Sequence, residues 1–239
     1  MKSRDVFTYI NSILNLSSSA GSKSAGLADE REITRAFIVK EIDGEIMNEA
    51  SENSGLIISL NLAKSLESNA EYGWSNVYSD SNTGVTLITV HCPAADAARF
   101  QCEALVDALG MQIYARNNGI TSECRTMSIA RIDSVSVSEF AKNAANQLGA
   151  GVSTNLPRMS VSKLAIVPGD GGGYIKVARH AGVGCLLTNK ATSENFKEAT
   201  DSGFVLMTCG SEEIELVALK KFTDILGEKF ADCKFELRV

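Results

Sequence analysis

Histidine is nearly absent from this chain: His91 and His180 are the only two in 239 residues. Imidazole is the side chain best suited to act as a base or bind a metal near neutral pH, so mechanisms that need several have little material here. Proline is held to three residues, tryptophan to one and the aromatics together to 6%. Positive charge is in deficit as well, with 23 Lys and Arg against 29 Asp and Glu and a formal charge of −6. Such a field repels phosphate backbones and anionic bilayer surfaces, so neither nucleic acid nor a membrane is expected as a partner. No run approaches the roughly 20 apolar residues that cross a bilayer. None of the six cysteines (Cys92, Cys102, Cys124, Cys185, Cys209, Cys233) falls in C-x-x-C spacing, which removes the zinc ribbon and the thioredoxin-type pair. No G-x-S-x-G elbow accompanies the histidines, so a hydrolase triad has no support.

What is present is ordinary globular material, 44% apolar and 22% charged. The first stretch, MKSRDVFTYINSILNL, carries Asp5 and Asn11 where a signal peptide needs an apolar core, so it reads as an amphipathic helix. A cytoplasmic chain whose cysteines remain thiols is the matching expectation.

The organisation lies in a repeat. Residues 33–61 and 161–189 read as one unit written twice, 128 positions apart, with Ile38, Val39, Gly44 and Ala50 meeting Ile166, Val167, Gly172 and Ala178. AFIV and LAIV suit strands buried on both faces. Ile42, Ile46, Met47 and Ala50, and likewise Tyr174, Ile175 and Ala178, then fall at helical spacing before Gly55 and Gly182, which are placed as C-caps. LIIS and CLLT supply second strands, so each copy is a βαβ unit with two parallel strands. Further helices are expected at 94–109, 137–148, 193–202 and 212–227, and strands at 85–91, 112–116, 204–208 and 233–239. Residues 17–26 and 64–84 read as loops, the second with a short helix at its start. The fold class is α/β: two similar, interlinked α/β domains arising from an internal duplication. The first spans 1–115, with the C-terminal segment a candidate to complete it, and the second spans 116–239.

Three places carry candidate chemistry. Gly169, Gly171, Gly172 and Gly173 follow a strand and open a helix, where backbone N–H groups hold anions. No Gly-Lys-Ser/Thr ending makes it a P-loop, and Tyr174 takes the last position of G-x-G-x-x-G, so a cofactor phosphate site and a tight βα turn both remain open. His91 closes a strand with Cys92 beside it and Asp96 five residues on, the elements of a metal corner or of a plain strand end. Glu212, Glu213 and Glu215 head a long helix, where they suit its positive end.

With these features in place, the layout resembles the Nif-three-like family (NGG-one-interacting factor three-like; GTP cyclohydrolase I type 2 homologs). The resemblance is carried by VSKLAIVPGDGGG leading into a helix, the turn Thr188 to Lys190, Cys209-Gly210 before a helix, Gly26-Leu27, and LIISLN at a strand end. It implies two interlinked α/β domains, a toroidal hexamer and a dinuclear metal centre facing the cavity. The family's adjacent histidine pair falls on Leu60 and Asn61, its middle Asp on Ala95 or Asp96, and its Gly-His-x-x-x-Glu motif on Gly210 to Glu215, keeping only the glutamate. Three imidazoles are thereby lost, and nitrogen ligands are what hold transition ions against water. The resemblance therefore implies a degenerate site with Glu215, Asp96 and His91 as residual ligands. The expected function is a non-catalytic oligomeric scaffold or binding module for a protein or small-molecule ligand, with no cofactor. The alternative is a metal-dependent hydrolase of the GTP cyclohydrolase I type 2 kind, in which a divalent metal occupies a rearranged site.

Overall fold

A computed structural model describes residues 1–16, 32–53, 55–67, 74–79, 82–116 and 127–239. The expected loop at 17–26, with Gly26-Leu27, and Cys124 lie outside these residues. The chain divides into two units: Met1–Ala97 with Leu219–Val239, and Ala98–Ala218.

The first unit opens with α1 (Ser3–Ile13), followed by β1 (Arg35–Val39), α2 (Gly44–Glu52), β2 (Leu56–Leu60), α3 (Leu62–Glu67), β3 (Trp74–Ser79), β4 (Thr86–His91) and the start of α4 (Ala94–Ala108). Ala36, Phe37, Ile38 and Val39 are all buried, as a strand between two covered faces requires. Asp43 caps α2 by accepting the Ile46 N–H at 2.8 Å, and Ile46 and Ala50 pack on Phe37, Val39 and Ile57. Ile42 precedes that cap and is exposed, so it is not part of the helix face assigned to it. Gly55 is likewise no left-handed cap; the helix ends at Asn53, and Gly55 donates to the Ala50 carbonyl at 2.9 Å. The expected loop at 64–84 contains β3, whose polar sequence hides a strand that pairs antiparallel with β4.

The second unit continues through β5 (Gln112–Arg116), β6 (Ser128–Ser136), α5 (Val137–Leu148), β7 (Val152–Thr154), β8 (Ser160–Asp170), a 3₁₀ turn (Gly172–Tyr174), α6 (Ile175–His180), β9 (Cys185–Lys190), α7 (Ser193–Asp201), β10 (Val205–Cys209) and the first turns of α8 (Ser211–Lys229); the rest of α8, from Leu219, and β11 (Lys234–Arg238) belong to the first unit. Local chemistry sets the helix ends. Ser136 caps α5 and Gly149, at φ +69°, stops it, while Thr192 and Asn195 form a reciprocal capping box on α7. Gly182, at φ +70°, follows α6.

The two sheets share a motif. Sheet order is β11-β1-β2-β4-β3 in one unit and β5-β6-β8-β9-β10-β7 in the other. Both contain three neighbouring parallel strands, β1-β2-β4 and β8-β9-β10, flanked by an antiparallel strand on the outer edge of β4 or β10. The division falls at Ala97/Ala98, inside α4, rather than at 115/116. Beyond that point Cys102, Leu105 and Val106 pack with Ala130, Leu164 and Ile166 of the second unit.

Strand β11 pairs in parallel with β1 and is tied to it by charge. Arg35 donates to Glu236 at 2.7 Å and to Glu49 at 2.8 Å, while Arg238 reaches both carboxylates and Lys234 reaches Glu236. The Arg35 guanidinium holds the Glu236 carboxyl down at about 2. A depressed carboxylate stabilises the fold above its unfolded value and loses that contribution as pH falls through its folded one. Glu236→Gln is therefore expected to lower stability at pH 6 by about 1–2 kcal/mol, allowing for solvent screening of this partly exposed network. The gap in urea midpoint between the variant and the parent should close between about pH 4.5 and pH 2. A gap independent of pH would show that charge is not what Glu236 contributes.

Candidate functional site

The glycine turn sits at the carboxyl ends of parallel strands, the usual ligand position in α/β sheets. Gly169, at φ +91°, donates its N–H to Asn189 Oδ1 at 2.8 Å. Gly171 donates to Thr188 Oγ1 at 2.8 Å, and that hydroxyl donates to the Gly169 carbonyl at 3.0 Å. Gly172 donates to Asp170 Oδ1 at 3.4 Å. Three amides of the expected phosphate cradle are thus engaged by side chains of the same unit, two of them by the buried Thr188 and Asn189 at the end of β9. The small residues have a packing reason: a Cβ on Gly171 would meet Thr188 and Val167, and one on Gly172 would meet the Asn195 carboxamide. Nothing stands within 4 Å of such an atom on Gly173.

The remaining candidates occupy two strand–helix junctions. His91 ends β4 and Asp96 lies in the first turn of α4, both partly exposed, so one junction in the first unit carries the pair. Glu215 is in the second turn of α8, 1% exposed, on the β10–α8 junction of the second unit. Glu213 folds its carboxylate back against Gly210. His180 is exposed, with Nδ1 2.8 Å from the Lys176 carbonyl.

Leu60 and Asn61, where the resemblance places the family's histidine pair, do other work. Leu60 is fully buried in the sheet, and Asn61 Oδ1 accepts the Lys64 N–H at 2.8 Å, capping α3. An alkyl group offers no ligand, and an engaged carboxamide is a poor one for a transition ion. Among the described residues no group of three His, Cys, Asp or Glu is placed to hold a metal ion. The donor set does not fit a dinuclear transition-metal centre. Among the described residues the cysteines offer no substitute: Cys92, Cys102, Cys185, Cys209 and Cys233 are all buried, and burial pushes the Cys209 and Cys233 thiols up to about 11, far from reactive thiolates.

Sequence reasoning missed one cluster, formed by Tyr114 of β5, Arg131 of β6 and Lys163 of β8. Nothing local signals it, because the three residues meet only through strand register.

Two α/β units, each built on three parallel strands with an antiparallel edge, define the class. The chain belongs to the Duf34/NIF3 (NGG1p interacting factor 3) family, whose model matches residues 1–239. Similar solved structures include a hypothetical protein of Staphylococcus aureus at 17% identity and TM-score 0.68, covering 100% of this chain and 96% of that one. A Bacillus cereus protein related to NIF3 aligns at 12% identity and TM-score 0.62, with 100% and 96% coverage. Reduced HcgD from Methanocaldococcus jannaschii aligns at 15% identity and TM-score 0.61, with 99% and 97% coverage. At these identities the likeness is one of fold. No curated protein matches. Among the described residues no helix is long and apolar enough to cross a membrane.

Proposed function

We propose that this chain is a non-catalytic member of its family, a cytoplasmic homo-oligomeric scaffold or binding module with a degenerate dinuclear metal site. The observation that carries this reading is the pair Leu60 and Asn61, the first sealed into the core and the second spent as the cap of α3. Ring assembly rests on apolar packing and sheet pairing, which do not need the metal, so a toroidal hexamer is part of the proposal. The second reading is a hydrolase of the GTP cyclohydrolase I type 2 kind, built on His91, Asp96 and Glu215; the retained, buried Glu215 favours it.

Elemental analysis of tag-free protein, together with solution mass, tests the proposal. Less than about 0.1 equivalent of Zn, Fe or Mn per chain is expected after dialysis, since an oxygen-dominated remnant binds such ions weakly. A mass of six chains is expected alongside. One or more equivalents of tightly held transition metal would overturn the degenerate centre, and a monomer would overturn the ring.

A further inference from the structure

The duplication places a cation at the same point of each unit, with opposite surroundings. Arg35 on β1 and Lys163 on β8 are equivalent positions, 128 residues apart. Arg35 is saturated by Glu236 of the neighbouring strand β11 and by Glu49. Beside Lys163 the neighbouring strand β6 places not an acid but Arg131, directly opposite in register. Among the described residues neither Arg131 nor Lys163 makes an ion pair. Both lie over one ring instead: Arg131 Cζ is 3.6 Å and Lys163 Nζ 4.9 Å from the centroid of Tyr114, which is 52% exposed.

The backbone is shaped around this cluster. Tyr114 is the extra residue of a bulge between Ile113↔Ala130 and Ala115↔Ile129. The pair Arg131↔Lys163 is the last before the β6–β8 ladder shifts register to Val135↔Val161. Bulges re-aim side chains, and here two irregularities flank one cross-strand row.

We propose that Arg131 and Lys163, held over Tyr114, form an oxyanion site that takes the phosphoryl group of a small molecule. A guanidinium stacked on a ring keeps its edge of N–H donors, which matches phosphoryl oxygens two at a time. Lys163 adds a point charge suited to a dianion, and the ring restrains a long side chain that would otherwise lose entropy on binding. Two cations in a chain of charge −6 suit a small ligand rather than a polymer, whose affinity rests on many phosphate contacts. The site goes beyond the reading above and needs no metal.

Calorimetric titration of the full chain with inorganic pyrophosphate, in low salt with EDTA present, tests it. Saturable binding is expected, with a log–log salt slope no steeper than about 2, the number of cations involved. Arg131→Ala and Lys163→Ala should each weaken binding by about tenfold or more, as loss of a charge-assisted contact does. The urea midpoints of both variants should match the parent's. The proposal fails if the parent shows no saturation up to about 10 mM, weaker than any useful affinity. It also fails if Arg131→Ala and Lys163→Ala bind like the parent. Tight binding of single-stranded RNA with a slope well above 2 would replace the small ligand with a polymer and overturn it too.

Discussion

Gly171→Ala should unfold at a markedly lower urea concentration than the parent, while Gly173→Ala, two residues on, should not. The Gly171 backbone (φ −99°, ψ 1°) is open to any residue, so the penalty is one of space alone. An added Cβ would stand 2.8 Å from Thr188 Cβ and 3.0 Å from Val167 Cβ, closer than such atoms approach in folded proteins. Both neighbours are fixed by parallel strands and are buried, so relief requires β8 and β9 to part and threatens the Gly171–Thr188 hydrogen bond. Overpacking of this kind costs about 1–3 kcal/mol. At Gly173 the same methyl meets nothing, and the reduced freedom of the unfolded chain should stabilise by up to about 1 kcal/mol. Similar midpoints for the two variants would mean that the turn yields easily and that its glycines have some reason other than packing.

Asn155→Ala is expected to be as damaging, by a different route. Asn155 lies just past β7, where its side chain continues the pairing with β10: Oδ1 accepts the Leu206 N–H at 2.8 Å, and Nδ2 donates to the Phe204 carbonyl at 2.9 Å and to Thr200 Oγ1 at 3.0 Å. Phe204 and Leu206 are buried, so truncation strands a donor and an acceptor away from water. Two such losses cost about 2–4 kcal/mol together. Asn155→Asp keeps the acceptor for Leu206 and should fall between the two. Native-state hydrogen exchange at the Leu206 amide gives the local reading. Unchanged protection there in the alanine variant would show that the carboxamide is dispensable.

Where an element advertised itself locally, it was legible. The helix 137–148 has its cap, its apolar spacing and its terminal glycine in one short stretch, and it forms over those residues. AFIV and LAIV announce buried strands because four consecutive apolar residues have no solvent face to show. Strand β3 did not announce itself, since WSNVYS lies on a sheet edge where only one neighbour disciplines the pattern, and Tyr78 is exposed. Most of β6 is similarly open to solvent beyond Ala130, so RIDSVS resembles a connection rather than a strand. At the site, the glycines of 169–173 were visible, but Thr188 and Asn189 as their acceptors were not.

The sequence by itself determined the two βαβ copies and the scarcity of imidazole, because apolar periodicity and side-chain chemistry are properties of neighbours along the chain. Only the tertiary structure decided how those residues are used: that the Gly169 and Gly171 amides are engaged by β9, and that Asn61 is a helix cap. It also decided that the duplicated cation is paired with acids at Arg35 and, among the described residues, with none at Lys163. Hydrogen bonding and charge balance depend on which strand lies alongside, and for Lys163 that neighbour is Arg131, set by a register that no local pattern encodes.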